Sequence, residues 1–257
     1  MNDAHSELVA LVTGAASGIG KATALLFAER GHRVVAVDRD AAGLRATLAE
    51  AASDSIAICP ADILDPPGLA AAVDIAADRF GGLDVLVAAA AIGDCGRIDE
   101  MAPELWDLVI DVILKGSSHC CRAVIPAFRQ RGSGSIVLFG SILGRVMSPG
   151  IGAYAAAKGG IEALTRTLAV DLAPDRIRVN CIVPGAIDTP MTWSTIPRED
   201  HAQVAGFARA DIPVGRMAQP AEIARCVYFL ASEEASFVNG TSLVADGGVL
   251  AKLASRI

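Results

Sequence analysis

Tyrosine and lysine are scarce in this chain, with two of the first and four of the second among 257 residues. Aromatic residues together make up 4%, so a core must be built from aliphatic side chains. No apolar run approaches the roughly 20 residues a membrane helix needs. Stretches such as LDVLVAAAAI and SIVLF stop early at Gly, Asp or Ser. The six cysteines, Cys59, Cys95, Cys120, Cys121, Cys181 and Cys226, contain no C-x-x-C pair and no metal spacing. They read as buried reduced thiols. The four histidines are scattered, which suggests neither a zinc site nor a His-based triad. Internal repeats and low-complexity linkers are lacking. Basic charge is in deficit: the net charge is −7 with both signs interspersed, which disfavours nucleic acid or an anionic membrane as partner. The opening MNDAHSE carries no positive charge, and the five apolar residues of LVALV fall short of the roughly 7–15 an export signal uses. The chain is expected to be cytoplasmic.

What is present is aliphatic and rhythmic. Hydrophobic residues are 53% of the chain, grouped in short runs that alternate with amphipathic segments of helix length. Strands are expected at 8–12, 33–37, 55–59, 84–89, 135–139, 177–182 and 242–245. Helices are expected at 18–30, 41–51, 66–80, 104–130, 152–172 and 220–231, with a weaker one at 199–209. Short runs of this kind suit strands buried on both faces. The βαβα order predicts an α/β, doubly wound parallel sheet with helices on both faces. Ligands bind such sheets beyond the carboxyl ends of the strands, so the residues following each strand carry the functional reading.

After the first strand comes TGAASGIG. Gly14, Gly18 and Gly20 allow a tight turn and a close approach of backbone to a pyrophosphate, with Ser17 and Ile19 between them. The helix that follows offers free N–H groups and partial positive charge to phosphates. The strand before and the helix after are the context a dinucleotide site requires. Asp38, at the end of the second strand, stands where a carboxylate meets the adenosine ribose hydroxyls and repels a 2′-phosphate. Arg39 follows at once and tolerates a phosphate, so NAD is favoured over NADP without excluding it. Asp62, after the third strand, is placed for the adenine amino group with Ile63 beside the ring; a helix N-cap is the equal alternative for Asp62. The run Ala88–Ala91 closes the fourth strand without a side-chain hydrogen bond; Ala89 is taken to the cofactor, and core filling is the other reading. Pro184-Gly185 turns sharply after the sixth strand, and Ile187 and Thr189 are placed to meet a nicotinamide carboxamide by backbone and hydroxyl.

The fifth strand puts Ser141 past its end, and Tyr154 and Lys158 follow on one helical face at i and i+4. A phenol with unperturbed pKa about 10 is a poor base at neutral pH, but a nearby ammonium favours the phenolate. Tyr154 can then take a proton from an alcohol or return one to a carbonyl. Ser141 can hydrogen-bond the substrate oxygen, and a nicotinamide carries the hydride. Catalysis is therefore assigned to Ser141, Tyr154 and Lys158.

Together these residues resemble the short-chain dehydrogenase/reductase family, from LVTGAASGIG through YAAAK and RVNCIVPGAIDTPM to LVADGG. The resemblance implies one Rossmann-type domain over 1–257 with seven parallel strands. It implies that Lys158 also binds the nicotinamide ribose. It further implies a homotetramer or homodimer built through the segments 104–130 and 152–172 and the C-terminal segment. Two departures stand out. The family's Asn-Asn-Ala-Gly is Ala88-Ala89-Ala90-Ala91 here, and DVILKG stands for the family's DVNLKG, so the asparagine of the catalytic tetrad is Ile113. Isoleucine cannot hydrogen-bond the water chain that relays protons from the lysine. Apolar packing around an altered helix is the plain explanation, and water reaching Lys158 by another route is a further one.

The segment 189–213 is expected to cover the substrate as a lid, with Met191, Trp193, Ile196 and Phe207 as an apolar face. Leu143, Val146 and Met147 are expected to line the same pocket, which suits a medium-sized apolar secondary alcohol or its ketone. Arg97 and Arg145 read as solvated surface residues or as partners of an anionic substrate group. An NADPH-dependent ketoreductase, including the 3-oxoacyl-carrier type, and a catalytically weakened NAD(H)-binding sensor or scaffold are the competing functions.

Overall fold

The computed structural model describes residues 7–51, 53–94, 96–194, 198–200, 206 and 210–252. Seven strands form one parallel sheet: β1 (Val9–Thr13), β2 (Arg33–Asp38), β3 (Ile56–Pro60), β4 (Val85–Ala88), β5 (Gly134–Phe139), β6 (Ile177–Pro184) and β7 (Ser242–Ala245), in the order β3-β2-β1-β4-β5-β6-β7. All seven expected strands are found, with ends shifted by at most two residues. The order reverses between β1 and β4, where the register pairs Leu11 with both Val35 and Leu86. That reversal opens a crevice at the carboxyl ends.

Strand side chains alternate between two cores, as a pleat of period two requires. Leu11, Val35, Leu86, Leu138 and Val179 face one; Val12, Ala36, Val87, Val137 and Ile182 face the other. The second core is covered by α1 (Gly18–Glu29), α2 (Ala41–Ala51) and α8 (Pro220–Ala231), through Phe27, Leu44 and Val227. The first is covered by α3 (Pro66–Phe80), α4 (Pro103–Ile110), α5 (Gly116–Arg131) and α6 (Gly152–Asp171), through Leu69, Val109, Phe128 and Ile161. A short α7 (Pro190–Ser194) follows β6.

The expected helix 104–130 is interrupted. A π-turn, Asp111–Lys115, separates α4 from α5; its wider i→i+5 ladder inserts a residue, which hydrophobic spacing does not reveal. Ile113 lies in it at 1% exposure within the first core, and the Ser117 hydroxyl donates to its carbonyl oxygen at 2.6 Å. Of the expected helix 199–209, a 3-10 turn at Arg198–Asp200 is found, and residues 201–205 and 207–209 lie outside the described residues. Among the described residues no helix is long and apolar enough to cross a membrane, and no group of His, Cys, Asp and Glu could hold a metal. Cys59, Cys120, Cys121 and Cys181 are buried thiols as expected, while Cys226 is only partly buried.

Candidate active site

The glycine turn after β1 is set by contacts that only glycine permits. Gly14 has φ +70 and a Cβ there would stand 2.9 Å from the Ala90 nitrogen, while one on Gly20 would stand 2.1 Å from the Gly14 oxygen. The turn therefore folds tightly onto itself and onto the end of β4. Helix α1 starts directly behind it, with no side chain capping it at Ser17 and no acidic residue in its first turn. Nothing in that turn competes with a bound anion.

A cleft of about 280 Å³ opens at the strand ends. Gly14, Ser17, Gly18, Ile19 and Gly20 line it together with Asp38 and Arg39. Asp62, Ile63 and Ala89 continue the wall, and Thr189 and Met191 close it from β6. Twelve of the residues anticipated for cofactor or substrate thus meet in one place. Ala90, Ala91, Ile92, Val112 and Phe139 also line it; small and aliphatic residues at strand ends carry no chemical signal by which a sequence would reveal them.

Asp38 is held by backbone. Its Oδ2 accepts from the Ala16 N–H at 3.1 Å and its Oδ1 from the Asp40 N–H at 2.9 Å, which ties the carboxylate to the glycine turn. Asp62 accepts from the Leu64 N–H at 2.8 Å, and the cap of α3 is Asp65, which accepts from Gly68. The N-cap alternative for Asp62 is therefore set aside. Where the family resemblance implies asparagines after β4, the Ala90 N–H donates to the Thr13 hydroxyl at 3.3 Å.

Pro184 ends β6, Gly185 and Ile187 follow it, and none of the three is among the residues lining the cleft. A Cβ on Gly185 would meet the Asp246 Cα at 2.8 Å, and Ile187 is 5% exposed in the second core. Its carbonyl accepts from the Thr192 hydroxyl at 2.7 Å, and the Thr189 hydroxyl is paired with that of Thr192 at 3.0 Å.

Beyond Phe139 the chain turns at Ser141, which is 7% exposed. The Leu143 N–H donates to Ser141 Oγ at 3.2 Å, so the hydroxyl hydrogen is left to donate elsewhere. Tyr154 lies in the first turn of α6, partly buried against the first core. Lys158 is 4% exposed. Its ammonium stands 5.6 Å from the centre of the Tyr154 ring and donates to the Phe139 carbonyl at 2.8 Å. Burial pulls its pKa from 10.5 down to about 8, with Cys181 acting weakly in the opposite direction. Phe139 thus joins the cleft wall to the lysine.

The residues expected over the substrate are dispersed. Leu143 is partly buried, whereas Val146 and Met147 are exposed. Met191 stands on the cleft wall itself. The Trp193 indole N–H donates to Asp188 at 2.7 Å, and Gln219 reaches the same carboxylate; both bonds hold Asp188 below the usual carboxylate range, Trp193 first. Ile196 and Phe207 lie outside the described residues. Arg97 is a surface residue paired with Asp99. Arg145 is exposed, as a surface residue is, and its guanidinium is committed to Glu162 rather than left for an anion.

Fold and cleft define an α/β Rossmann-like protein with a crevice at its topological switch point. A family model described as enoyl-(acyl carrier protein) reductase matches residues 14–250. The chain is 42% identical to cis-4-hydroxycyclohexanecarboxylate dehydrogenase of Sinomonas cyclohexanicum, over 98% of this chain and 100% of that one. It is 36% identical to cyclohexanol dehydrogenase of Acinetobacter sp., over 98% of each. The structure of 3-ketoacyl-(acyl-carrier-protein) reductase from Brucella melitensis complexed with NADH superposes with a TM-score of 0.87 at 35% identity, covering 94% of this chain and 98% of that one. The chain belongs to the short-chain dehydrogenase/reductase family and is an oxidoreductase acting on CH–OH groups or the corresponding ketones. NAD(P) is the cofactor typical of that family. The residues present fit it: the turn at Gly14 and Gly20 leaves no room for a Cβ, and the Asp38 carboxylate lines the same cleft as an acceptor.

Proposed function

We propose that the protein oxidises a secondary alcohol, carried on an apolar ring, to its ketone with NAD, or runs the reverse. The observation that carries the reading is the buried Lys158 ammonium beneath the Tyr154 ring, one helical turn away. With a pKa of about 8, Lys158 is still mainly charged at neutral pH and favours the phenolate of Tyr154. Tyr154 takes the alcohol proton, and Ser141 donates its free hydrogen to the substrate oxygen. NAD, when bound, accepts the hydride from the carbinol carbon. Asp38 holds the adenosine ribose and the glycine turn the central pyrophosphate, with Lys158 available to the nicotinamide ribose. The ring preference is supported by the names of the two relatives above.

The test is NADH production across a panel of cyclic and acyclic secondary alcohols, with wild type and Tyr154→Phe side by side. The variant is expected to bind NADH normally and to lose turnover; near-normal turnover sinks the assignment.

A second reading, an NADPH-dependent ketoreductase of the 3-oxoacyl-carrier type, is favoured by one feature: Arg39 is exposed on the cleft wall next to Asp38. Tighter binding of NADPH than of NADH in parallel titrations selects it. The proposal also takes 1–257 as one dinucleotide-binding domain acting in the cytoplasm, with 189–213 covering the substrate. It assembles as a dimer or tetramer, consistent with the exposed Leu108 on α4, Val170 on α6 and Phe237.

A further inference from the structure

Glu162 stands one turn beyond Lys158 and two beyond Tyr154, so the three share one face of α6. It is 7% exposed, and a carboxylate this deep requires a partner. Arg145 supplies it. Its Nε lies 3.0 and 3.1 Å from the two carboxylate oxygens, and its Nη2 also donates to Oε2. These bonds hold Glu162 below the usual carboxylate range, with Ser242 and Arg166 acting in the same direction and burial opposing.

Arg145 lies just past the 3-10 turn that Ser141 opens. The same stretch touches α6 at two further points. A Cβ on Gly140 would stand 3.5 Å from Glu162 Cγ and 3.1 Å from Cys181 Sγ; one on Gly144 would stand 3.0 Å from the Gly159 nitrogen. The segment carrying Ser141 is therefore gripped by the turn of α6 that carries Lys158 and Glu162. A pair like this contributes little net stability, because desolvation of the carboxylate offsets the attraction. What it supplies is geometry, since a planar guanidinium meets a carboxylate in only a few arrangements.

We infer that Arg145 and Glu162 are positioning residues: their ion pair seats the Ser141 loop on α6 and so sets the Ser141 hydroxyl against the Tyr154 phenol. The inference rests on the roles proposed above for Ser141 and Tyr154.

The experiment is a double-mutant cycle on the full chain, with NAD and cyclohexanol as probe. Arg145→Met is expected to lower kcat about ten- to hundredfold, the effect of a small misplacement of a reacting group. NADH affinity and the alcohol KM should stay within about threefold, the pattern of an interaction realised in the transition state. Arg145→Lys recovers part of the loss. In a Ser141→Ala background, Arg145→Met should cost little more, because the two act through one hydroxyl. If Arg145→Met does not fold, Glu162→Gln, which keeps the volume, replaces it in the same cycle. A kcat within about twofold of wild type, or full additivity with Ser141→Ala, overturns the inference. So does a loss of NADH binding in step with the activity. Failure of the underlying reading looks different: Ser141→Ala or Tyr154→Phe then retains turnover by itself.

Discussion

The Lys158 ammonium donates to the carbonyl oxygen of Phe139 at 2.8 Å, which fastens the helix bearing Tyr154 to the end of β5. The cation is almost wholly removed from water, and its pKa falls from 10.5 to about 8 as a result. Between those two values the unfolded chain holds a proton that the folded one has released. Stability from this group therefore rises with pH across that window, and below about pH 8 the native state carries the full cost of the buried charge. The span corresponds to about 3 kcal/mol. In urea titrations without cofactor, wild type should gain on Lys158→Met by up to this amount between pH 7 and pH 10. A pH-independent gap between the two proteins contradicts it.

Asp38 should set the choice of dinucleotide. Its carboxylate is fixed by the Ala16 and Asp40 N–H groups and leaves lone pairs for ribose hydroxyls. Hydrogen bonds to a charged group contribute about 1.5–3 kcal/mol, so Asp38→Ala should weaken NADH about ten- to hundredfold. The same change removes the charge opposed to a 2′-phosphate and leaves Arg39 in place, so NADPH should tighten. Fluorescence titration with both cofactors reads the two effects together.

Gly20→Ala should be destructive where Gly152→Ala is tolerated. A Cβ on Gly20 meets backbone at 2.1 Å, while one on Gly152 meets nothing within 4 Å. Overpacking of this kind costs about 1–3 kcal/mol and often more where backbone must shift. Melting curves and NADH titrations of the two variants are expected to diverge, with binding lost only in Gly20→Ala.

Ile113→Asn should not restore a proton relay. The side chain lies in the first core, and its carbonyl already accepts from the Ser117 hydroxyl. An amide buried there without partners costs about 1–3 kcal/mol. The variant is expected to melt lower with kcat unchanged or reduced; a higher kcat, with a smaller solvent isotope effect, would show that proton release through this turn limits turnover.

The sheet was legible because each strand announces itself locally, as in RVVAV or SIVLF, and because the glycine turn and Asp38 sit at strand ends where topology gives them meaning. The Tyr154–Lys158 spacing was legible for the same reason: a helix converts four residues of sequence into one shared face. The missing parts depend on contacts that sequence distance hides. Arg145 and Glu162 are 17 positions apart and meet only once β5 delivers Ser141 onto α6, so the sequence places Arg145 at the surface, where it lies, without revealing its partner. The π-turn at Asp111–Lys115 leaves the apolar pattern around it intact. Trp193 reads as an apolar cover, yet its indole N–H fixes it to Asp188, a polar preference that hydrophobicity does not convey.

The Gly96 N–H donates to the Gly150 carbonyl at 2.6 Å, and Gly96 and Ile151 form a bridge immediately before α6. The loop after β4 is therefore laced to the threshold of the helix that carries the tyrosine. An engineer who reshapes residues 96–101 pulls on the same thread that positions Tyr154, the proposed acid/base. Turnover should therefore drift in a directed-evolution campaign on this loop, and recovering it calls for compensating changes on the 147–151 side.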